Sequence, residues 1–283
     1  MVKKEIVLTS RQHQRSIGVD FRFIADGRPK PVVLFVHGFK GFKDAMHFNA
    51  LADTIATAGS VYVKMNLSHN GVTPEHPLDF VDLEAFANNN FSIEMDDIDV
   101  VLDYIQNQGL DIPRHEINID EIYLIGHSRG GAVSILKACE DPRIKKLVTW
   151  AAVPDLGAFW TKDFLASWKQ NRVVYIKNAR TLQDMPLNYQ IVEDFEANSE
   201  RFNIGSQLTK LNIPFMAIHG SEDETVAVES LLMFKSFYPE VIRKKIEGAG
   251  HTFGGKHPWT EPSLPDHSQQ LAEQTIDFLI AKE

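Results

Sequence analysis

The apolar run Ile122-Tyr123-Leu124-Ile125 ends directly on Gly126-His127-Ser128-Arg129-Gly130, and a stripe of Ala132, Ile135, Leu136 and Cys139 follows at once. A short run of this kind suits a parallel strand buried on both faces, and i, i+3, i+4, i+7 spacing marks one face of an amphipathic helix. The chain must therefore reverse from strand to helix within the glycine-flanked segment. A G-x-S-x-G string in that setting carries its serine on a strained turn, where the glycines remove the Cβ atoms that would crowd it. Ser128 is the candidate nucleophile.

Other segments repeat the alternation. Strands are expected around Glu5 to Leu8, Gly18 to Ile24, Val32 to Val36 and Val61 to Leu67, with a helix marked by Phe48, Leu51, Ala52 and Ile55 that stops near Gly59. From Ser68 to Asn90 the chain is polar and irregular. Ile98, Val101, Leu102 and Ile105 then form a helical stripe ending at Gly109. Lys145 to Val153, Ile213 to Ile218 and Val241 to Ile246 supply further strands, and a helix around Gln269 to Ile280 follows the last of them. This order predicts an α/β fold with a mostly parallel central sheet, right-handed crossovers and helices on both faces.

Between Val153 and Ile213 the rhythm breaks for about sixty residues, too long and too apolar for a plain loop. The segment has its own aromatics (Phe159, Trp160, Phe164, Trp168, Tyr175, Tyr189) and several short helical patterns. Residues 154–212 read as a cap or lid over the C-terminal edge of the sheet, with 1–153 and 213–283 as the core. Helices packed on the flank of the domain are the alternative. No repeat, low-complexity tract or Pro/Gly linker marks a second independent domain.

Composition narrows the partners. The 283 residues hold 29 basic against 38 acidic side chains, and the net charge of -9 disfavours nonspecific binding to nucleic acid or to an anionic membrane. Met1 to Ser10 has too short an apolar stretch for a signal peptide, and no window approaches the roughly 18 apolar residues of a membrane span. Cys139 is the sole cysteine, so an internal disulfide is impossible, which suits a cytoplasmic setting. It lies on the apolar helix face and reads as core packing.

A serine hydroxyl needs a base, an orienting acid and donors for an oxyanion. Loops at strand ends supply these in chain order serine, acid, histidine. His251 follows the last expected strand in the turn Gly248-Ala249-Gly250-His251-Thr252-Phe253 and is the favoured base; His257 and His267 lie further on, beside prolines. Asp223, just past the strand ending at Ile218, is the favoured acid, with Glu222, Glu224 and Asp155 as rivals. The backbone N–H groups of Arg129 and of Phe39, in the turn His37-Gly38-Phe39-Lys40-Gly41-Phe42, are the candidate oxyanion donors. Lys40 and Lys43 could add a positive field there, but read more simply as surface lysines. Trp150, Trp160 and Trp168 are candidate substrate contacts.

Together, His37-Gly38-Phe39, Gly126-His127-Ser128-Arg129-Gly130, His219-Gly220-Ser221-Glu222-Asp223 and Gly250-His251 resemble the α/β-hydrolase superfamily from about residue 18 onward. Within it, the early strands and the insertion between the sixth and seventh core strands are similar to feruloyl/cinnamoyl esterase and dienelactone hydrolase-like enzymes. Asn66-Leu67-Ser68-His69-Asn70-Gly71 departs from the D-x-R-G-H-G-like turn of many relatives, and dienelactone hydrolases proper use cysteine where this chain has Ser128. The resemblance implies a serine esterase acting on a small-molecule ester. The same triad also suits amide cleavage or acyl transfer, and a noncatalytic binding protein would have no need of all three residues. Gly250 to Lys256 begins like a phosphate-binding loop, but His257 and Pro258 break the pattern, and no metal or other cofactor is implied.

Overall fold

The computed structural model describes residues 1–280. In chain order it contains β1 (Val2–Thr9), β2 (Ser16–Phe23), β3 (Lys30–Val36), α1 (Phe48–Thr57), β4 (Val61–Met65), α2 (Leu83–Ala87), α3 (Phe91–Gln108), β5 (Ile117–His127), α4 (Arg129–Glu140) and β6 (Ile144–Trp150). Then come α5 (Lys162–Asn171), β7 (Val173–Lys177), β8 (Asp184–Asn188), α6 (Gln190–Ala197), α7 (Ile204–Leu208), β9 (Phe215–Gly220), α8 (Ser230–Phe237), β10 (Ile242–Ile246) and α9 (Asp266–Leu279).

The main sheet has eight strands in the order β1-β2-β4-β3-β5-β6-β9-β10. Only β1 and β2 run antiparallel to their neighbours; every pairing from β4 to β10 is parallel. Strand side chains alternate between faces, so the complete burial of Val32 to Val36 and of Ile122 to His127 requires cover on both sides. Two helix groups provide it: α1 packs with α9, while α3, α4, α7 and α8 form a contiguous second set. Each fully buried aliphatic side chain in these strands contributes roughly 1.5–3 kcal/mol. At the edge, β10 exposes Arg243, Lys244 and Lys245, charges that discourage pairing with another strand. Among the described residues, no helix is long and apolar enough to cross a membrane.

Two expectations need amendment. The Ser68 to Asn90 stretch is not wholly irregular. It contains α2, and Ser68, His69 and Asn70 are buried because hydrogen bonds satisfy them, as where Ser68 N–H donates to Asp97 Oδ2 at 2.7 Å. The insertion is not wholly helical either, since β7 and β8 form an antiparallel hairpin between α5 and α6.

Lys43 is likewise no surface lysine. It is buried, and its ammonium lies 3.0 Å from Asp20 Oδ2 and also contacts Asp44. Lys64, fully buried, reaches Asp44 Oδ1 at 2.6 Å and Asp20 Oδ2 at 3.1 Å, and Arg22 completes the cluster with Asp20 Oδ1 at 2.8 Å. Each buried charge faces an opposite one, the condition for such groups to persist in an interior. The network ties β2 and β4 to the segment after β3. There Lys43 N–H also donates to Asn66 Oδ1 at 2.7 Å.

Candidate active site

Ser128 joins β5 to α4 with φ 56° and ψ −122°, a conformation that costs a non-glycine residue about 1–3 kcal/mol. The turn is held from both sides. Ser128 N–H donates to Trp150 O at 2.9 Å, and Ser128 O accepts Gly131 N–H at 3.0 Å. Glycine is obligatory beside it: a Cβ on Gly126 would lie 2.3 Å from Gly130 O, and one on Gly130 would lie 2.2 Å from His37 O. The tight turn therefore presses the strand end, the helix start and the turn after β3 against one another.

His251 Nε2 stands 3.0 Å from Ser128 Oγ, and His251 Nδ1 stands 2.8 Å from Asp223 Oδ2. An ionised carboxylate can only accept, so the proton of the neutral ring resides on Nδ1 and the Nε2 lone pair faces the hydroxyl. Asp223 is tightly held. Its Oδ1 accepts the N–H groups of Thr225 and Val226, both at 2.9 Å, and His219 Nε2 lies 3.1 Å from Oδ2. Burial alone would raise its pKa, but the hydrogen bonds from His219, His251 and Val226 outweigh it and hold the carboxyl well below the usual carboxylate range. His219 is fixed as the Nε2–H tautomer, because that nitrogen also donates to Val226 O at 2.8 Å while Ser230 Oγ donates to Nδ1 at 3.1 Å.

Among the described residues, none of the rivals is hydrogen-bonded to Ser128 or to the His251 ring. His257 Nδ1 accepts Met46 N–H at 3.0 Å, its ring packing edge-on to Phe42, and His267 flanks Gly248. Glu222 and Glu224 are exposed, and Asp155 Oδ1 caps Gly157 N–H at 2.9 Å.

The Arg129 amide opens α4, so as a first-turn N–H it has no partner within the helix. The Phe39 amide lies in the turn after β3, which approaches so closely that a Cβ on Gly38 would sit 2.9 Å from Ser128 Cβ. His37 shapes that turn. Its Nδ1 donates to Gly38 O at 2.9 Å, its Nε2 accepts Leu67 N–H at 3.2 Å, and burial lowers its pKa to about 4, which keeps it neutral. The Arg129 guanidinium pairs with buried Glu94 Oε1 at 2.5 Å and lies 4.5 Å from the Phe39 ring centre, bracing the turn from α3.

Ser128 opens onto a cavity of about 490 Å³ walled by Phe39, Phe91, Trp160, Phe164, Trp168, Leu187 and Ile191 among others. Trp160 stacks on Phe91 at 6.2 Å and meets Trp168 edge-on at 5.9 Å, while the Trp168 indole N–H donates to Leu187 O at 2.9 Å. Half of the lining residues come from the insertion. Trp150, the third tryptophan expected here, does not line the cavity: it is buried beneath the sheet, donating to Thr275 Oγ1 of α9 at 3.1 Å and packing against Phe35. It ends β6 near the elbow, but its side chain turns to the α9 face instead of the sheet edge.

Supporting residues that sequence reasoning did not single out include His127, whose Nε2 donates to His251 O at 3.0 Å, along with His219 and Glu94. His127 and His219 each stand at a strand end beside a candidate catalytic residue, the one signal that would have found them; Glu94 on α3 leaves none.

No protein-family model and no curated protein matches the chain. Solved structures do. Est1E from Butyrivibrio proteoclasticus aligns with TM-score 0.68 and 16% identity over 97% of both chains. The esterase domain of a Rhodothermus marinus protein aligns at 0.65 and 17% over 98% of each, and mouse alpha/beta hydrolase domain-containing protein 10 at 0.68 and 13% over 97% of this chain and 98% of that one. With its strand order, elbow turn and these matches along nearly its whole length, the chain has the α/β-hydrolase fold.

Proposed function

We propose that this protein is a serine hydrolase that cleaves a carboxylic ester through an acyl-enzyme, with Ser128 as nucleophile, His251 as base and Asp223 as orienting acid. The observation that carries the reading is the hydrogen-bonded series Ser128–His251–Asp223, at 3.0 and 2.8 Å, on a strained turn. Ser128 Oγ attacks the acyl carbon as its proton passes to His251 Nε2. The negative charge that develops on the carbonyl oxygen meets the Phe39 and Arg129 amides, a donor of this kind contributing about 3–4 kcal/mol to the transition state. The C–O bond to the alcohol then breaks, and His251 returns the proton to the departing oxygen. Water, deprotonated by the same nitrogen, releases the acid. Asp223 stays ionised throughout and stabilises the imidazolium.

The aromatic walls favour an apolar, flat acyl group, and residues 154–212 act in this reading as the cap that selects it. Est1E, similar in fold, has been solved with ferulic acid bound, which supports an aromatic acyl group here. Labelling by a fluorophosphonate tests the assignment: wild-type protein takes up one label and Ser128→Ala takes up none. Folded wild-type protein that resists the reagent would overturn it.

A further inference from the structure

Ser128 and His251 also border a second cavity of about 350 Å³, which shares Phe39 and Lys40 with the first. Its walls carry the cations Lys40, Arg180 and Lys256 and no carboxylate. In a chain of net charge -9 this is an unusual concentration of one sign beside the reacting atoms. Lys40 borders both cavities, and among the described residues neither Lys40 nor Arg180 forms an ion pair: Lys40 Nζ reaches only Lys177 O at 3.2 Å, and Arg180 Nη2 only Leu78 O at 3.5 Å. Lys256 has Glu261 at 3.9 Å, and Asp79 acts on the neighbouring His257 through space.

Arg180 is placed by structure. It sits on the tip between β7 and β8, where Asn178 Oδ1 accepts its N–H at 3.0 Å and Gln183 Nε2 ties the tip to Phe80 O at 3.0 Å. Its guanidinium lies 5.7 Å from the Phe42 ring centre and 5.8 Å from that of Phe80. The hairpin thus delivers a positive charge across the cleft and fixes it on aromatic faces, with donor edges left for a ligand.

Chemistry assigns the two cavities. The departing oxygen takes its proton from His251 Nε2, so the alcohol leaves on the side of the His251 loop. That loop walls the second cavity through Thr252, Gly255, Lys256 and His257, whereas the first touches it only at His251. We propose that the second cavity is the leaving-alcohol subsite and that it takes an alcohol bearing an anionic group, a carboxylate or a phosphate. The inference rests on the ester-hydrolase reading above.

The test compares cinnamoyl esters of 1-butanol, 4-hydroxybutanoate and 3-hydroxypropyl phosphate. Several partly exposed ion pairs acting together give an expected kcat/KM about tenfold higher for an anionic ester than for the neutral one. The ratio falls towards one in Arg180→Gln and Lys256→Gln and as salt is added. Preference for one anion over the other identifies its source. A ratio of one or less in the wild type, or higher turnover of a butyl ester whose anion lies on the acyl half, overturns the assignment. Calorimetry on Ser128→Ala with the same uncleaved esters reads binding without turnover. Tighter binding of the anionic esters there, lost in the Arg180→Gln double variant, supports the subsite even if no ester is cleaved, a failure that would count against the hydrolase reading alone; equal affinities overturn it.

Discussion

The His127 side chain donates from Nε2 to the main-chain carbonyl of His251 at 3.0 Å, so the residue before the nucleophile holds the backbone of the residue proposed as its base. The ring is neutral, its pKa pushed down to about 3 by burial and by the neighbouring His251. A protonated ring could not accept a hydrogen bond; a neutral one can donate from Nε2 with no buried charge. Loss of this bond frees the His251 loop while keeping all three side chains of the proposed triad in the chain. In His127→Ala, kcat is expected to fall about tenfold to a hundredfold with a smaller change in KM, as a misplacement near 1 Å would produce. His127→Gln, whose amide can still donate, restores part of it. An unchanged kcat in His127→Ala would remove the positioning role.

Gly38 meets Ser128 across the cleft, where an added Cβ would stand 2.9 Å from Ser128 Cβ and 3.0 Å from His127 O. Both neighbours are fixed, so Gly38→Ala must displace the turn that carries the Phe39 amide. The expected outcome is a kcat lower by about 10² to 10³ with near-native near-ultraviolet circular dichroism, the signature of a lost oxyanion donor. Wild-type kcat in this variant would place the second donor elsewhere.

The Arg129–Glu94 pair is a buried ion pair at 2.5 Å, with Asn89 Nδ2 also donating to Glu94 Oε1 at 2.7 Å. Removing one partner strands the other, so Glu94→Ala is expected to lower stability by about 3–5 kcal/mol in urea unfolding. The double variant Glu94→Leu with Arg129→Met removes both charges and recovers much of the loss. Additive losses in the double variant would show that the pair is not coupled.

Acid sensitivity follows from buried histidines. Burial lowers the pKa of His37, His47 and His69 from 6.5 to about 4 and that of His127 to about 3. Each binds its proton less readily folded than unfolded. Its stabilising contribution is therefore complete above pH 6.5 and is lost as pH falls through these folded values, at up to about 1.4 kcal/mol per pH unit per group. Asp97 opposes this: burial raises it from 3.8 to about 7, so its contribution is present below 3.8 and lost as pH rises through 7. Burial raises Glu94 as well, and the four histidines outweigh the two carboxyls. The urea midpoint should fall between pH 6.5 and 4.5, and a midpoint that holds or rises over that range would contradict the neutral, buried assignment.

Much of this was legible in the chain itself. Ser128 and Asp223 each follow a strand whose apolar run is plain, His251 follows the charged edge strand β10, and chain order did the rest. The hairpin β7–β8 was not, because its strands are short, the second contains Pro186, and its tip lacks an Asn-Gly or Asp-Gly turn signal. Lys43 reads as a surface residue because Asp20, one of the acids that neutralise it, comes from another segment. Trp150 was misplaced because period-two alternation gives the spacing of side chains along β6 but not which face lies over the nucleophile. Arg180, central to the proposed alcohol subsite, depends on that same hairpin fold and left no mark in sequence.

The central claim is that an acyl group rests on Ser128 during turnover. Mixing stoichiometric p-nitrophenyl cinnamate with enzyme, quenching in acid within the first turnover and weighing the intact protein and its peptides tests it directly. The expected result is a burst of p-nitrophenol matched by a cinnamoyl adduct on the peptide containing Ser128, absent from Ser128→Ala. Undiminished hydrolysis by Ser128→Ala, or an adduct on any other residue, would contradict it.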